Sequence, residues 1–306
     1  LGRLCPHATA LLVIGANLAD LDVAASLGGA AAYLDYHRGP SHSLVAMPAL
    51  ALLLAAAARW IGRRPIPWGR TFLVCLTGVA SNPLFDLVNT YGVRLFWPFS
   101  NRWVGGGFVA VADAWILLLL ALGLAAPWFS RLVNREIGAR PGTGRGAAIV
   151  VLLLILLYGC GRRLLHERAK AQLDARIYEG AASLRVDAFP SPVSPLHWDG
   201  WVETASCYLH FPAMNPLGEF DATRYRPYYK GAVTPAVQSA TATPAFRAFM
   251  RFAQWPLIRE TPLAEPEASR QVEACDLRFG APPQSHFAAT AVVDASGRVL
   301  SSSFRF

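Results

Sequence analysis

Charge is scarce in this sequence. Of 306 residues, 16% are Asp, Glu, Lys or Arg, against roughly a quarter in an ordinary soluble domain. The shortage is uneven: Ala8 to Tyr158 is largely apolar, whereas the chain from Arg162 onward has the mixture of a water-soluble domain. A single soluble domain is thereby excluded, and one region in lipid with another in water is implied. Acid is the scarcer sign, 20 residues against 28 basic ones, and such a surplus ordinarily raises nucleic acid as a partner. Here the arginines sit mostly in short loops between apolar runs, which is the pattern of membrane topology. No nucleic-acid-reading module is present, so that partner is set aside. The five cysteines show no CxxC or zinc-knuckle spacing, which argues against a thiolate metal site. Cys207 and Cys275 either pair in an oxidising compartment or stay as buried thiols. A P-loop, a GxGxxG run, a Ser/His/Asp nucleophile motif and internal repeats are all lacking. So is a signal-peptide pattern, and the chain opens on Leu1, read here as the trimmed end of something longer.

What is present is a series of apolar runs close to the roughly 20 residues that cross a bilayer. Ala8–Leu34 is interrupted only by Asp20 and Asp22, and Ser43–Ala58 is nearly pure Ala, Leu and Val. Thr71–Phe96 carries Asp86 and is broken by Pro83, Phe108–Phe129 follows Asp113, and Ala147–Tyr158 extends to Leu165. Arg59, Arg63, Arg64 and Arg70 fill one loop, and Arg131, Arg135, Arg140 and Arg145 another. Short basic loops stay cytoplasmic, which puts His37, His42, Asp86 and the start of the Asp113 helix at the outer face. Arg162, Arg163, Arg168 and Lys170 then fall outside, against the rule. Further on, Val292–Leu300 reads as two strands about Ser296-Gly297. Pro244–Phe252 reads as a helix with Thr243 as cap. The expectation is an α-helical membrane domain of four or five segments over residues 1–165, then a smaller extracytoplasmic α+β domain over 166–306.

Charges inside spans cost about 2.5–3.5 kcal/mol each at a helix centre and persist when paired, solvated or functional. Asp20 and Asp22 lie two apart, so a continuous helix points them roughly 200° apart. They converge on one cation only where the helix ends; the plain alternative is a solvated helix end. In His37-Arg38-Gly39-Pro40-Ser41-His42-Ser43 two imidazoles flank a tight turn and can share a metal, and Ser41 or Ser43 can cap the next helix. Asn82 and Asp86 share a helix face, and Asp86 needs a partner, ionic or metallic. Asp113 suits a helix N-terminus without further explanation. Imidazoles mixed with carboxylates suit a divalent ion such as zinc. His166, His197, His210 and His286 have no ligand spacing and read as structural.

Three runs carry a resemblance: ANLADLD at 16–22, HRGPSHS at 37–43 and SNPLFDLVNTYGVRLFWPFS at 81–100. Together, over residues 10–130, they resemble the YdjM-like family of LexA-regulated type, bacterial inner-membrane proteins described as metal-dependent hydrolases. The resemblance implies Asp20, Asp22, His37, His42 and Asp86 as metal ligands and Arg38 as the contact to an oxyanion or phosphate. The expected function is metal-dependent hydrolysis of an ester or phosphoester in a lipid or envelope component, with Asn82, Asp113 and Ser41 as outer support. The resemblance also implies a preceding helix with a Thr-His pair. Asn82 stands where that family commonly has histidine, and Ala19 where it has proline. The rival expectation is a polar cluster that only pins helices, with a soluble domain that binds an envelope partner.

Overall fold

The computed structural model describes residues 5–62, 67–136, 144–178, 180–264, 269–283 and 285–305; Arg63, Arg64 and Arg140 of the topology reading lie outside them. Six helices come first: α1 (Ala8–Leu18), α2 (Ala30–Tyr36), α3 (Ala46–Ile61), α4 (Trp68–Val88), α5 (Ala114–Glu136) and α6 (Arg145–Asp174). A short hairpin, β1 (Ile177–Tyr178) and β2 (Ala181–Ala182), leads into β3 (Arg185–Pro190), β4 (Trp198–Glu203), β5 (Cys207–Met214) and β6 (Arg226–Tyr229). After α7 (Pro235–Thr241) and α8 (Pro244–Phe252) come β7 (Pro256–Pro262), β8 (Arg270–Asp276), β9 (Ala288–Val293) and β10 (Val299–Arg305). The larger strands make two antiparallel sheets, ordered β3-β4-β5-β6 and β10-β9-β8-β7. An N-terminal helical region and a smaller α+β region are as expected.

Among the described residues, three helical stretches are long and apolar enough to cross a membrane: Ala8–Gly28, Trp68–Val88 and Arg145–Asp174. Ala30–His42 and Ala46–Ile61 meet at a 74° bend and together make a fourth, broken one. The apolar part of α5, Ala114–Ser130, is shorter than these. Pro83, read as a break, lies inside an uninterrupted α4. A proline removes a single amide, and a membrane helix tolerates it where neighbours take up the freed carbonyl.

Two compact units interleave along the chain. One comprises Leu1–Leu87, Gly92–Gly105 and Tyr229–Phe306, the other Val88–Tyr91 and Gly106–Tyr228. In the first, α1 and α4 touch at paired glycines. A Cβ on Gly78 would sit 2.7 Å from the Leu12 carbonyl oxygen, and one on Gly15 3.2 Å from that of Cys75. Small residues let membrane helices approach this closely. Around the crossing Leu11, Met47, Ala51, Val74, Cys75 and Val79 form a buried core. The same unit holds β7–β10, whose helix α8 packs on α2, and Arg251 grips Asp35 with two bonds from one nitrogen at 2.6 and 2.9 Å. Thr243 caps α8 through Phe246 N–H, and β9 and β10 pair as the predicted hairpin. In the second unit α6 lays Ala169 and Leu173 against β3–β5, in a core with Trp198, Val202 and Phe211. All five cysteines are free; Cys207 and Cys275 are buried.

Candidate functional site

The glycine crossing sets the site. One turn past Gly78, Asn82 Nδ2 donates to the Ala16 carbonyl at 3.0 Å and to Asp20 Oδ2 at 2.5 Å. At Ala19 the α-helix gives way to a 3-10 stretch, Ala19–Gly28. That change supplies the break that Asp20 and Asp22 need in order to face the same region. A second turn of α4 places Asp86, 6% exposed, beside the His37–Ser43 turn.

Asp22 organises that turn. Its Oδ1 lies 2.7 Å from His37 Nδ1, and its Oδ2 accepts from Arg38 N–H at 2.9 Å and from Ser41 Oγ at 2.6 Å. Arg38 takes a left-handed backbone, φ 53°, costly for a non-glycine residue and typical of sites that the surroundings over-determine. Gly39 beside it leaves room for the Arg94 guanidinium, which a Cβ there would displace and which donates to the Asp35 carbonyl. Ser43 Oγ accepts from Ala46 N–H and so caps the start of α3.

His42 stands at the centre, fully buried. Ser41 Oγ lies 2.9 Å from its Nδ1. A hydroxyl has one hydrogen, and Ser41 gives it to Asp22, so the network assigns the proton of that contact to His42 Nδ1. Nε2 then faces Asp20 Oδ1 at 3.4 Å and Asp86 Oδ2 at 3.5 Å and makes no hydrogen bond. A bare lone pair aimed at two carboxylates is repulsive, so Nε2 needs either a second proton or a cation. The separations exceed the 2.7–3.2 Å of an N–H···O bond. They equal the edge of a tetrahedron about a metal with ligands at about 2.1 Å, which is about 3.4 Å.

Arg38 belongs to the same cluster, its Nη2 3.0 Å from Asp86 Oδ1. Asp20 is the open member, its side chain 47% exposed against 9% for Asp22. The residues expected as ligands thus fall into two tiers. His42, Asp20 and Asp86 present atoms to one another, whereas Asp22 and His37 are bonded together and hold the turn. Among the described residues no group of three or more His, Cys, Asp or Glu side chains forms a ready cage for an ion.

Asp113 belongs to the other unit. Its Oδ1 accepts from Trp115 and Ile116 N–H at the start of α5, and both its oxygens are 3.0–3.1 Å from Tyr158 Oη. A second polar set there was not read from the sequence. Arg162, 1% exposed, donates to the Pro195 carbonyl and lies 4.3 Å from the Trp198 ring; His166 Nε2 meets Asp187 at 2.9 Å. Tyr158, Arg162 and His166 recur every four residues on α6, the one signal that marked them as a shared face.

The chain is 26% identical over 187 residues to the uncharacterized protein YfhP of Bacillus subtilis (strain 168), a match covering 58% of this chain and 51% of that protein. The chain thus spans about half the length of the curated relative it matches. No solved structure matches. The model of the YdjM inner membrane protein family matches residues 2–168, which include the helix crossing, the His37–Ser43 turn and Asp86, and the chain belongs to that family.

Proposed function

We propose that this membrane protein is a metal-dependent hydrolase acting on an ester or phosphoester of a lipid or envelope component. The observation that carries the reading is His42 Nε2: buried, without a hydrogen bond, and a tetrahedral edge away from Asp20 and Asp86. These three side chains would hold a divalent ion, zinc by the donor chemistry. Such an ion supplies Lewis acidity at the scissile group. Asp22 fixes the tautomer and ring plane of His42, as outer carboxylates do for ligating histidines, and Ser41 and His37 hold Asp22 in turn. Asn82 steadies Asp20. Arg38 is the group that would meet the developing oxyanion, and Asp20, half exposed, marks the side from which substrate enters. The basic loops support the extracytoplasmic side for this end of the helices.

A second reading has its own support. Arg38–Asp86 at 3.0 Å and His37–Asp22 at 2.7 Å are direct contacts of the kind a structural knot uses, leaving the soluble region to bind an envelope partner. Elemental analysis of chelator-free protein, beside His42→Ala, separates the two. A stoichiometric transition metal lost in His42→Ala supports the hydrolase and justifies a phosphoester screen. A folded wild type without metal refutes it.

A further inference from the structure

The loop between α4 and α5 has two unlike faces. Val93 and Val104 close it with reciprocal backbone bonds of 2.9 Å. On one face Trp103 packs edge-on against Phe252 at 5.3 Å, beneath the Arg94 guanidinium. On the other, Phe99 is 86% and Phe96 47% exposed, followed by exposed Ser100, Asn101 and Arg102. Arg102 has no acidic partner among the described residues. The loop is tied to the site turn at two points, since Arg94 N–H donates to the Arg38 carbonyl and Leu44 N–H to the Leu95 carbonyl, each at 2.9 Å. Leu44 and Val45, directly after His42-Ser43, are half exposed as well, and they lead into the exposed Leu52 and Leu53 of α3, part of the broken apolar stretch long enough to cross a membrane.

We propose that Leu44, Val45, Phe96 and Phe99, with Arg102 at the rim, form an apron that rests in the bilayer interface and delivers a phosphate-bearing lipid headgroup to the polar cluster. The exposed apolar side chains of α3, in a stretch long and apolar enough to cross a membrane, name the occupant. Aromatic side chains beside an arginine are the composition of membrane–water interfaces, where rings sit at headgroup level and the guanidinium meets phosphate. Leu44 and Val45 of the apron lead directly in sequence into α3, which favours lipid over a protein partner. The delivery step rests on the hydrolase reading; the seating in lipid does not.

The test uses the full chain in phosphatidylcholine–phosphatidylglycerol nanodiscs. Phe99→Cys is made in a Cys160→Ser background, the other four cysteines being buried, and carries a polarity-sensitive dye. The expected result is blue-shifted emission, quenching by a headgroup-proximal nitroxide lipid and protection from aqueous iodide. Quenching by iodide with none by the nitroxide lipid overturns the proposal, and so does shielding from both quenchers, which would mean a protein covers the loop. Metal content of the same sample reports on the hydrolase reading separately. Where a phospholipid and a soluble phosphoester are both turned over, Phe96→Ser/Phe99→Ser is expected to raise KM for the phospholipid alone; an equal change for both substrates overturns the delivery step.

Discussion

The Arg38–Asp86 pair permits a quantitative test of whether the site's charges are coupled. The side chains are 14% and 8% exposed with N···O at 3.0 Å, so solvent screens them little. At an effective dielectric of about 20, unit charges that close attract by about 5 kcal/mol, most of which offsets their desolvation. Deleting one partner removes the other's ion-pair charge, and Asp86→Ala and Arg38→Ala should each lose about 3–5 kcal/mol. The double variant should lose clearly less than their sum, with a coupling of about 2 kcal/mol, because the pair is lost only once. The assay is reversible unfolding of the four proteins in mild detergent, followed by tryptophan fluorescence. Additivity within about 0.5 kcal/mol would refute the reasoning and show each side chain to be satisfied independently of the other.

Other outcomes follow from the same contacts. Asp113→Ala removes the cap of α5 and the Tyr158 bond; it should cost about 1–2 kcal/mol in the same unfolding assay and leave metal content unchanged. Gly78→Ala places a Cβ 2.7 Å from the Leu12 carbonyl oxygen and should cost about 1–3 kcal/mol by prising α1 from α4; on the proposed hydrolase reading, metal content should fall with it, because Asn82 is drawn away from Asp20. In the soluble region burial pushes the Cys275 thiol up to about 12, so its reactive thiolate accumulates only as pH rises toward that value. Iodoacetamide at pH 8 should leave Cys275 unmodified by peptide mass spectrometry until the protein is denatured.

Local signals in the sequence were legible wherever one element decides the outcome. The 200° divergence of Asp20 and Asp22 required a helix end, and the helix changes character at Ala19. The spacing of Asn82 and Asp86 put them on one face, and the cap at Thr243 and the hairpin about Ser296-Gly297 follow from turn and capping chemistry. Contacts set by the tertiary fold were not legible. Nothing local says that His37 will bond Asp22, 15 residues earlier, rather than share His42's surroundings. Pro83 was misread because a helix-breaking propensity measured in water overstates the cost where packing holds the backbone. The interleaving of the two units was invisible too, since apolar periodicity shows that a strand has a core face but not which core receives it.

That interleaving has a consequence for how the protein is made. The helices bearing Asp20, His42 and Asp86 are synthesised first, yet the unit that contains them also includes Tyr229–Phe306. A ribosome therefore completes and releases the whole second unit's sequence before the first can close. Until α8 arrives to pack on α2 and Arg251 to clasp Asp35, the nascent N-terminal helices wait in the bilayer with one flank bare. A stop codon or a bulky insertion in β10 is thus an injury to α1–α4, felt more than two hundred residues upstream.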